Sequence, residues 1–287
     1  MMPTDVKRAI RRAFDQASRN YDCAAVLQSE VRRQGLERLD LVKLEPRNIL
    51  DVGAGTGHAS IALARSFKGA RVAALDLATG MLIEARKRRS LFTKIDLVCG
   101  DACALPVKTQ SIDLIFCNLV LQWCADLELA FREFKRVLRP QGLLAFSTFG
   151  PDTLWELRQA FSHVDDHQHV NQFVDMHDVG DCLVSAGLVE PVMDAEVFTL
   201  TYDDVIALMK DLKAIGANTV TSGRRPGLMG KSDLAGLREA YENFREDGRL
   251  PATYEVVFGH AWAPLAGQGV AMRHGEARIP LNTITRR

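Results

Sequence analysis

The stretch Ile49-Leu50-Asp51-Val52-Gly53-Ala54-Gly55-Thr56-Gly57 constrains this chain more than any other. A short apolar run ends in three glycines spaced two apart, and a helical pattern starts at His58. Near-continuous Ile, Leu and Val in so short a run predict a strand buried on both faces. The glycines let the backbone turn tightly and let a ligand approach it closely. The helix that follows offers unpaired N–H groups at its start. Strand, glycine turn and helix in this order predict the first unit of an open α/β sheet, whose ligands sit beyond the carboxyl ends of the strands.

The rest of the chain extends that unit. Further apolar runs at residues 72–75, 95–98, 114–118 and 143–148 alternate with helical patterns at 58–66, 81–91, 127–137 and 153–161. The alternation predicts an α/β fold with a doubly wound, mostly parallel sheet covered on both faces. Residues 6–44 read mostly as helix, with Ile10, Phe14, Ala17 and Tyr21 at the spacing of one helix face. A polar stretch at 163–171 precedes a helix at 175–186, a strand at 192–201, a helix at 203–215, a Gly/Arg loop at 216–231, a helix to about Arg245 and a last strand at 252–260. The chain then divides into a helical lid segment at 1–45, an α/β core at 46–202, a helical lid insertion at 203–248, a last core strand at 249–262 and a tail at 263–287. Weak patterning in the tail predicts loose order.

Composition excludes several classes. Lys+Arg and Asp+Glu both count 36, so no whole-protein basic field attracts nucleic acid. The six cysteines form no C-x-x-C pair and read as free thiols of a reducing compartment. Charges interrupt the N-terminal residues where a leader needs an apolar stretch. No apolar run approaches the roughly 20 residues of a membrane span, so the expectation is a soluble, cytoplasmic protein with no membrane partner. His163, His167 and His169 lie near Asp165 and Asp166, but no recognised metal frame surrounds them and no metal site is expected.

The glycine loop admits two ligand readings. A dinucleotide loop places its third glycine where this chain has His58, and Asp51 just ahead of the loop would repel a pyrophosphate. The same carboxylate suits an ammonium or sulfonium group. Asp76 closes the second apolar run 25 residues after Asp51, placed either to bind ribose hydroxyls or to cap a helix. Met81 is either an apolar wall for an adenine face or a core residue. In Gly100-Asp101-Ala102, Asp101 either accepts from an adenine amino group or caps a turn. Asn118 and Leu119 end the fourth run, where the amino-acid end of such a cofactor would lie. The candidate cofactor-binding set is therefore Asp51, Gly53, Gly55, Gly57, Asp76, Met81, Asp101, Ala102, Asn118 and Leu119.

This set resembles the class I S-adenosylmethionine-dependent methyltransferases over residues 48–149. The loop with its following acid is specific for fold and cofactor and silent on substrate. The Asn/Asp-Pro-Pro-Tyr/Phe signature of nucleic-acid amino-methyltransferases is absent from Asn118-Leu119-Val120-Leu121. Other segments carry a narrower resemblance. Phe14-Asp15-Gln16-Ala17-Ser18-Arg19-Asn20-Tyr21, His169-Val170-Asn171-Gln172-Phe173, Ser222-Gly223-Arg224 and the stretches 118–123, 149–157, 211–217 and 250–262 resemble the malonyl-acyl-carrier-protein O-methyltransferases of biotin synthesis. The resemblance implies S-adenosyl-L-methionine as donor and S-adenosyl-L-homocysteine as product. It implies as acceptor the free carboxylate of a malonyl thioester on acyl carrier protein, with malonyl-coenzyme A as the alternative carrier. It also implies substrate roles for Tyr21 and Arg224, with Arg225 the alternative in the same loop. An acidic carrier would dock on basic runs such as Arg86-Lys87-Arg88-Arg89, Lys7-Arg8 or Arg11-Arg12. Residues 149–158 and 250–254 also resemble methyltransferase-like arginine hydroxylases that assist assembly of respiratory complex I. That activity, another small-molecule carboxyl methyltransferase, and a non-catalytic cofactor-binding module stand as alternatives.

Overall fold

The computed structural model describes residues 4–89, 95–217, 230–265, 271–273 and 276–278. Three helices open the chain: α1 (Thr4–Ala17), α2 (Tyr21–Ala24) and α3 (Val26–Leu39). The continuous helical pattern of the sequence is broken at Ser18 to Asn20 and at Ala25, so α2 is a single turn set apart from its neighbours.

The core then alternates: β1 (Asn48–Val52), α4 (His58–Ser66), β2 (Arg71–Asp76), α5 (Thr79–Arg88), β3 (Ile95–Cys99), β4 (Ile112–Asn118), α6 (Leu127–Val137) and β5 (Leu138–Phe149). After these come α7 (Trp155–Ser162), α8 (Met176–Ser185), β6 (Val189–Tyr202), α9 (Val205–Ala214), α10 (Lys231–Glu242) and β7 (Leu250–Trp262). The seven strands form one sheet in the order β3-β2-β1-β4-β5-β7-β6. The first five are parallel, and β7 runs antiparallel to both β5 and β6. From β1 the chain winds out to β2 and β3, then returns to β4 on the other side of β1. That reversal opens a crevice at the carboxyl ends of β1 and β4.

Side-chain alternation divides the core between the two faces of the sheet. Leu50 and Val52 pack with Ile115, Phe131 and Phe134 on one face, while Ile49 packs with Leu63, Val72 and Leu114 on the other. A third cluster joins α3, α7, α9 and α10 to β7 through Val31, Leu157, Leu208, Leu237 and Val256. Helix α1 rests on α5, and α2 rests on α9, so the first helices touch the segment that precedes α10. The helix expected from 153 starts at Trp155, because Leu154 holds a left-handed φ of +55° that no helix accepts. Farther along, β8 (Ala271–Arg273) pairs antiparallel with β9 (Glu276–Arg278). Among the described residues, no helix is long and apolar enough to cross a membrane.

Candidate active site

A cavity of about 270 Å³ occupies the crevice predicted from the glycine loop. Its floor is built from the ends of β1 to β4, and α1 roofs it with Lys7, Ile10, Arg11 and Phe14. The N–H groups of Gly53 and Ala54 both donate to the carbonyl of Leu75, at 2.7 and 2.9 Å, which fixes the turn against β2. Gly53 has φ +68°, and a Cβ there would collide with Val120. Gly55 has φ +53°, and a Cβ there would meet nothing within 4 Å, because that side of the backbone faces the open cavity. This stretch of backbone is open to close approach.

Asp76 projects into the same cavity. Its Oδ2 accepts from Gly55 N–H and its Oδ1 from Ala78 N–H, each at 2.8 Å. These bonds hold the carboxylate in one orientation and leave it lone-pair capacity for a ligand hydroxyl. Burial pushes this carboxyl up to about 6. Met81 and Ala102 are buried and supply apolar wall on either side. Asn118 bridges three elements: its Oδ1 accepts from Ser147 Oγ at 2.9 Å, and its Nδ2 donates to the carbonyl of Gln28 at 3.5 Å. Asp101 reaches the cavity as expected, but it is already engaged. Its Oδ1 accepts from Cys103 N–H at 3.0 Å and its Oδ2 pairs with Lys7 of α1. An adenine amino group at this carboxylate therefore shares it with Lys7.

Two expected members do not reach the wall. Asp51 is 1% exposed and turns its carboxylate to the hydroxyl of Ser60 on α4. It shares a sheet face with Ile49, away from the Leu50 and Val52 side. Burial pushes its carboxyl up to about 7, so it acts as a buried tie between β1 and α4. Gly57, at φ +85°, faces Ala85 of α5, whose Cβ would lie 2.9 Å from an added Cβ, and it shapes the helix start from outside the cavity. Arg224 and Arg225 lie outside the described residues.

A second chamber adjoins the first. Phe14, Tyr21, Leu119 and Trp123 line both, so the two spaces meet at these four side chains. The far wall carries Gln28, Gln122, Asn171 and Tyr254 among the apolar surfaces of Phe149, Phe173, Leu212 and Ile215. Phe14 meets Trp123 edge-on, with ring centroids 5.3 Å apart and planes at 89°. Leu119 and Leu154, both on this chamber, hold φ of +52° and +55°. Left-handed backbone at a leucine is strained and persists where surrounding bonds enforce it. Leu119 N–H donates to Ser147 O at 3.0 Å, and Leu154 N–H to Thr253 O at 2.6 Å. Burial drives the Tyr21 phenol above its ordinary value, with the Asp76 carboxylate adding to the effect, so it stays a donor at neutral pH.

The basic runs are partly consumed inside the fold. Lys7 pairs with Asp101, Arg11 with Asp15, and Arg88 with Asp22. His169 stacks on Phe161 at 3.9 Å and pairs with Asp165 at 2.9 Å, which gives it a packing role. Among the described residues, no group of three or more His, Cys, Asp or Glu could hold a metal ion.

Phe14, Trp123, Gln122, Asn171 and Tyr254 line the second chamber, and sequence reasoning does not single them out as site residues. Phe14 lies on the same helix face as Ile10, which carried a usable signal. Tyr254 and Asn171 reach the chamber from β7 and from the loop before α8, and no local pattern announces that meeting.

A methyltransferase domain model matches residues 50–146. A malonyl-[acyl-carrier protein] O-methyltransferase of Methylovorus sp. is 53% identical over 266 residues, covering 91% of this chain and 90% of that one. Another of that name, from Gallionella capsiferriformans, is 53% identical over 264 residues, covering 90% and 91%. Among solved structures, the YcgJ protein of Bacillus subtilis superposes with a TM-score of 0.58 at 17% identity, over 80% of this chain and 97% of that one, which shows the shared fold. The identity to the first two, sustained over about nine tenths of each chain, shows that this chain belongs to the malonyl-[acyl-carrier protein] O-methyltransferase family.

Proposed function

We propose that the protein transfers the methyl group of S-adenosyl-L-methionine to the free carboxylate of malonyl-acyl carrier protein in the cytoplasm, giving the methyl ester that primes biotin synthesis. The observation that carries this reading is the junction of two cavities at Phe14, Tyr21, Leu119 and Trp123. One cavity has the features of a nucleoside site: bare glycine backbone, an oriented acid and apolar flanks. The other is a small, largely aromatic chamber with amide and phenol groups, suited to a short acyl unit with polar ends.

When bound, the cofactor supplies an electrophilic methyl group on a cationic sulfur. The protein's part is to hold both partners and keep water out. Asp76 would accept from the ribose hydroxyls, and Gly55 would leave room for the ligand against the backbone. Met81 and Ala102, on the cavity wall, would flank the base, and Asn118 with Leu119 would stand at the amino-acid end. The acceptor is a carboxylate, ionised at neutral pH like other carboxyls, so no general base is required. Catalysis then rests on orientation, which contributes about 7–11 kcal/mol in favourable cases. Tyr21 donates to the acceptor at the junction, and the Phe14–Trp123 pair closes the junction to water. The resemblance also implies a contact to the acceptor carboxylate for Arg224, or for Arg225 in the same loop.

The test is transfer of labelled methyl from S-adenosylmethionine to malonyl-acyl carrier protein, malonyl-coenzyme A and acetyl-acyl carrier protein. Mass spectrometry should find a methyl ester on the malonyl substrates alone. Equal labelling of the acetyl thioester, or none on any, refutes the reading. Labelling of malonyl-coenzyme A alone moves the acceptor away from the carrier protein.

A further inference from the structure

Helix α2 has four residues, and its N-cap Asn20 makes no side-chain cap. One helical turn is not stable by itself, because nucleation costs more than one turn of bonds returns. Yet Tyr21, its first residue, stands at the junction of the two cavities. Something outside the helix has to fix it there.

The next residue provides the tie. Asp22 Oδ1 accepts from Thr56 Oγ1 of the glycine-rich loop at 2.6 Å, and the same oxygen lies 3.4 Å from Nε2 of His58 at the start of α4. Its Oδ2 takes the guanidinium of Arg88, the last residue of α5. Arg88 Nε also donates back to Thr56 O at 3.2 Å. Thus α2, the glycine loop, α4 and α5 converge on one carboxylate. Thr56 follows Gly55, whose N–H is bound by Asp76, so the clamp ends one residue from the bare backbone of the cofactor cavity.

We propose that Asp22 is a positioning residue that clamps α2 to the glycine-rich loop and so holds the Tyr21 phenol in register with the donor site. The proposal rests on the methyl-transfer reading for its kinetic consequences. Successive residues on a helix point about 100° apart, so Asp22 can face the loop while Tyr21 faces the cavities. Fixing one sets the angle of the other. The Asp22 side chain is 37% exposed, and pairs at that exposure add little to stability. Its value lies in registration, since small misplacement of a reacting partner costs about a hundredfold in rate.

The experiment compares D22A, D22N, Y21F and D22A/Y21F with the wild-type protein. Initial rates with a malonyl thioester, S-adenosylhomocysteine titration and hydrogen exchange of the peptide spanning residues 20–25 are measured. D22A should lower kcat by about tenfold to a hundredfold while the product's Kd moves less than about threefold, as expected when positioning and not binding is lost. D22N keeps an acceptor for Thr56 and should recover part of the rate. In the Y21F background D22A should add little, because both act through one group. Exchange of the 20–25 peptide should speed up in D22A while β1 and β4 keep their protection. Additive losses, a parallel collapse of product affinity, or unchanged exchange in D22A overturn the proposal. A wild-type protein that methylates no malonyl thioester refutes the function instead, and the exchange result still decides the clamp.

Discussion

Gly53→Ala and Gly55→Ala form a matched pair that separates what the glycine loop needs for folding from what it needs for ligand. At Gly53 an added Cβ would sit against Cγ2 of Val120 and 3.2 Å from its Cβ and Cγ1. Carbon atoms prefer about 3.5–4.0 Å, and a β-branched side chain has few rotamers to escape into. With three atoms of one residue that close, the backbone has to move. Overpacking costs about 1–3 kcal/mol, and a left-handed φ at alanine adds about 1–2 kcal/mol. The expected loss for Gly53→Ala is therefore about 2–5 kcal/mol, or a melting midpoint lower by about 5–15 °C. Gly55→Ala meets no neighbour, so it carries the φ cost alone, about 1–2 kcal/mol. Its methyl group enters the cavity, and affinity for S-adenosylhomocysteine should fall much more than stability. Urea denaturation and calorimetric titration of both variants check this. A Gly53→Ala protein within about 0.5 kcal/mol of wild type, or a Gly55→Ala protein with unchanged affinity, refutes the reasoning.

Asp76→Ala removes the hydroxyl acceptor and the bonds to Gly55 and Ala78, and should raise the Kd of S-adenosylhomocysteine at least about tenfold, as expected for a lost charge-assisted contact. An unaltered titration curve would remove Asp76 from the cofactor site. Because its carboxyl is pushed up to about 6, wild-type affinity should fall as pH drops through that value, and a flat profile from pH 5 to 8 counts against the assignment. Asp51 makes an independent stability prediction: its carboxyl moves from 3.8 to about 7 on folding. The folded state holds the proton more tightly, so stability is lost as pH rises between these values, by up to about 4 kcal/mol at full ionisation. Asp51→Asn keeps a partner for Ser60 and cannot ionise, so its urea midpoints at pH 5 and pH 8 should lie closer together than the wild type's; equal spacing contradicts the burial argument.

Legibility in the sequence followed the range of the interactions. The β1–loop–α4 unit was readable because each part announces itself locally: an apolar strand, glycines that need positive φ, and an uninterrupted helix pattern. Asp76 was readable because the parallel pairing of β1 with β2 puts its end beside the loop. The chemistry of Asp51 suits a cationic ligand, yet the period of the strand turns it away from the crevice. Leu50 and Val52 share one face, so the residue between them turns to the opposite face and to α4. The pairing of Lys7 with Asp101 joins residues 94 positions apart and has no local signature. The same is true of the second chamber, where Phe14, Tyr21, Leu212 and Tyr254 come together from four distant elements.

The choice of a phenol at the junction has an electrostatic logic. The donor sulfur is cationic and the acceptor anionic, so they attract each other without help. A lysine or arginine between them would repel the donor and draw charge from the attacking oxygen. A carboxylate there would repel the acceptor. A neutral donor can orient the acceptor while leaving most of its charge for the methyl group, provided it does not ionise. Burial and the nearby Asp76 carboxylate both raise the Tyr21 phenol above its ordinary value, so it is neutral at the near-neutral pH where the malonyl carboxylate is charged. The environment that would make Tyr21 a poor base thus makes it a dependable hydrogen-bond donor, and a carboxyl methyltransferase needs the second property and not the first.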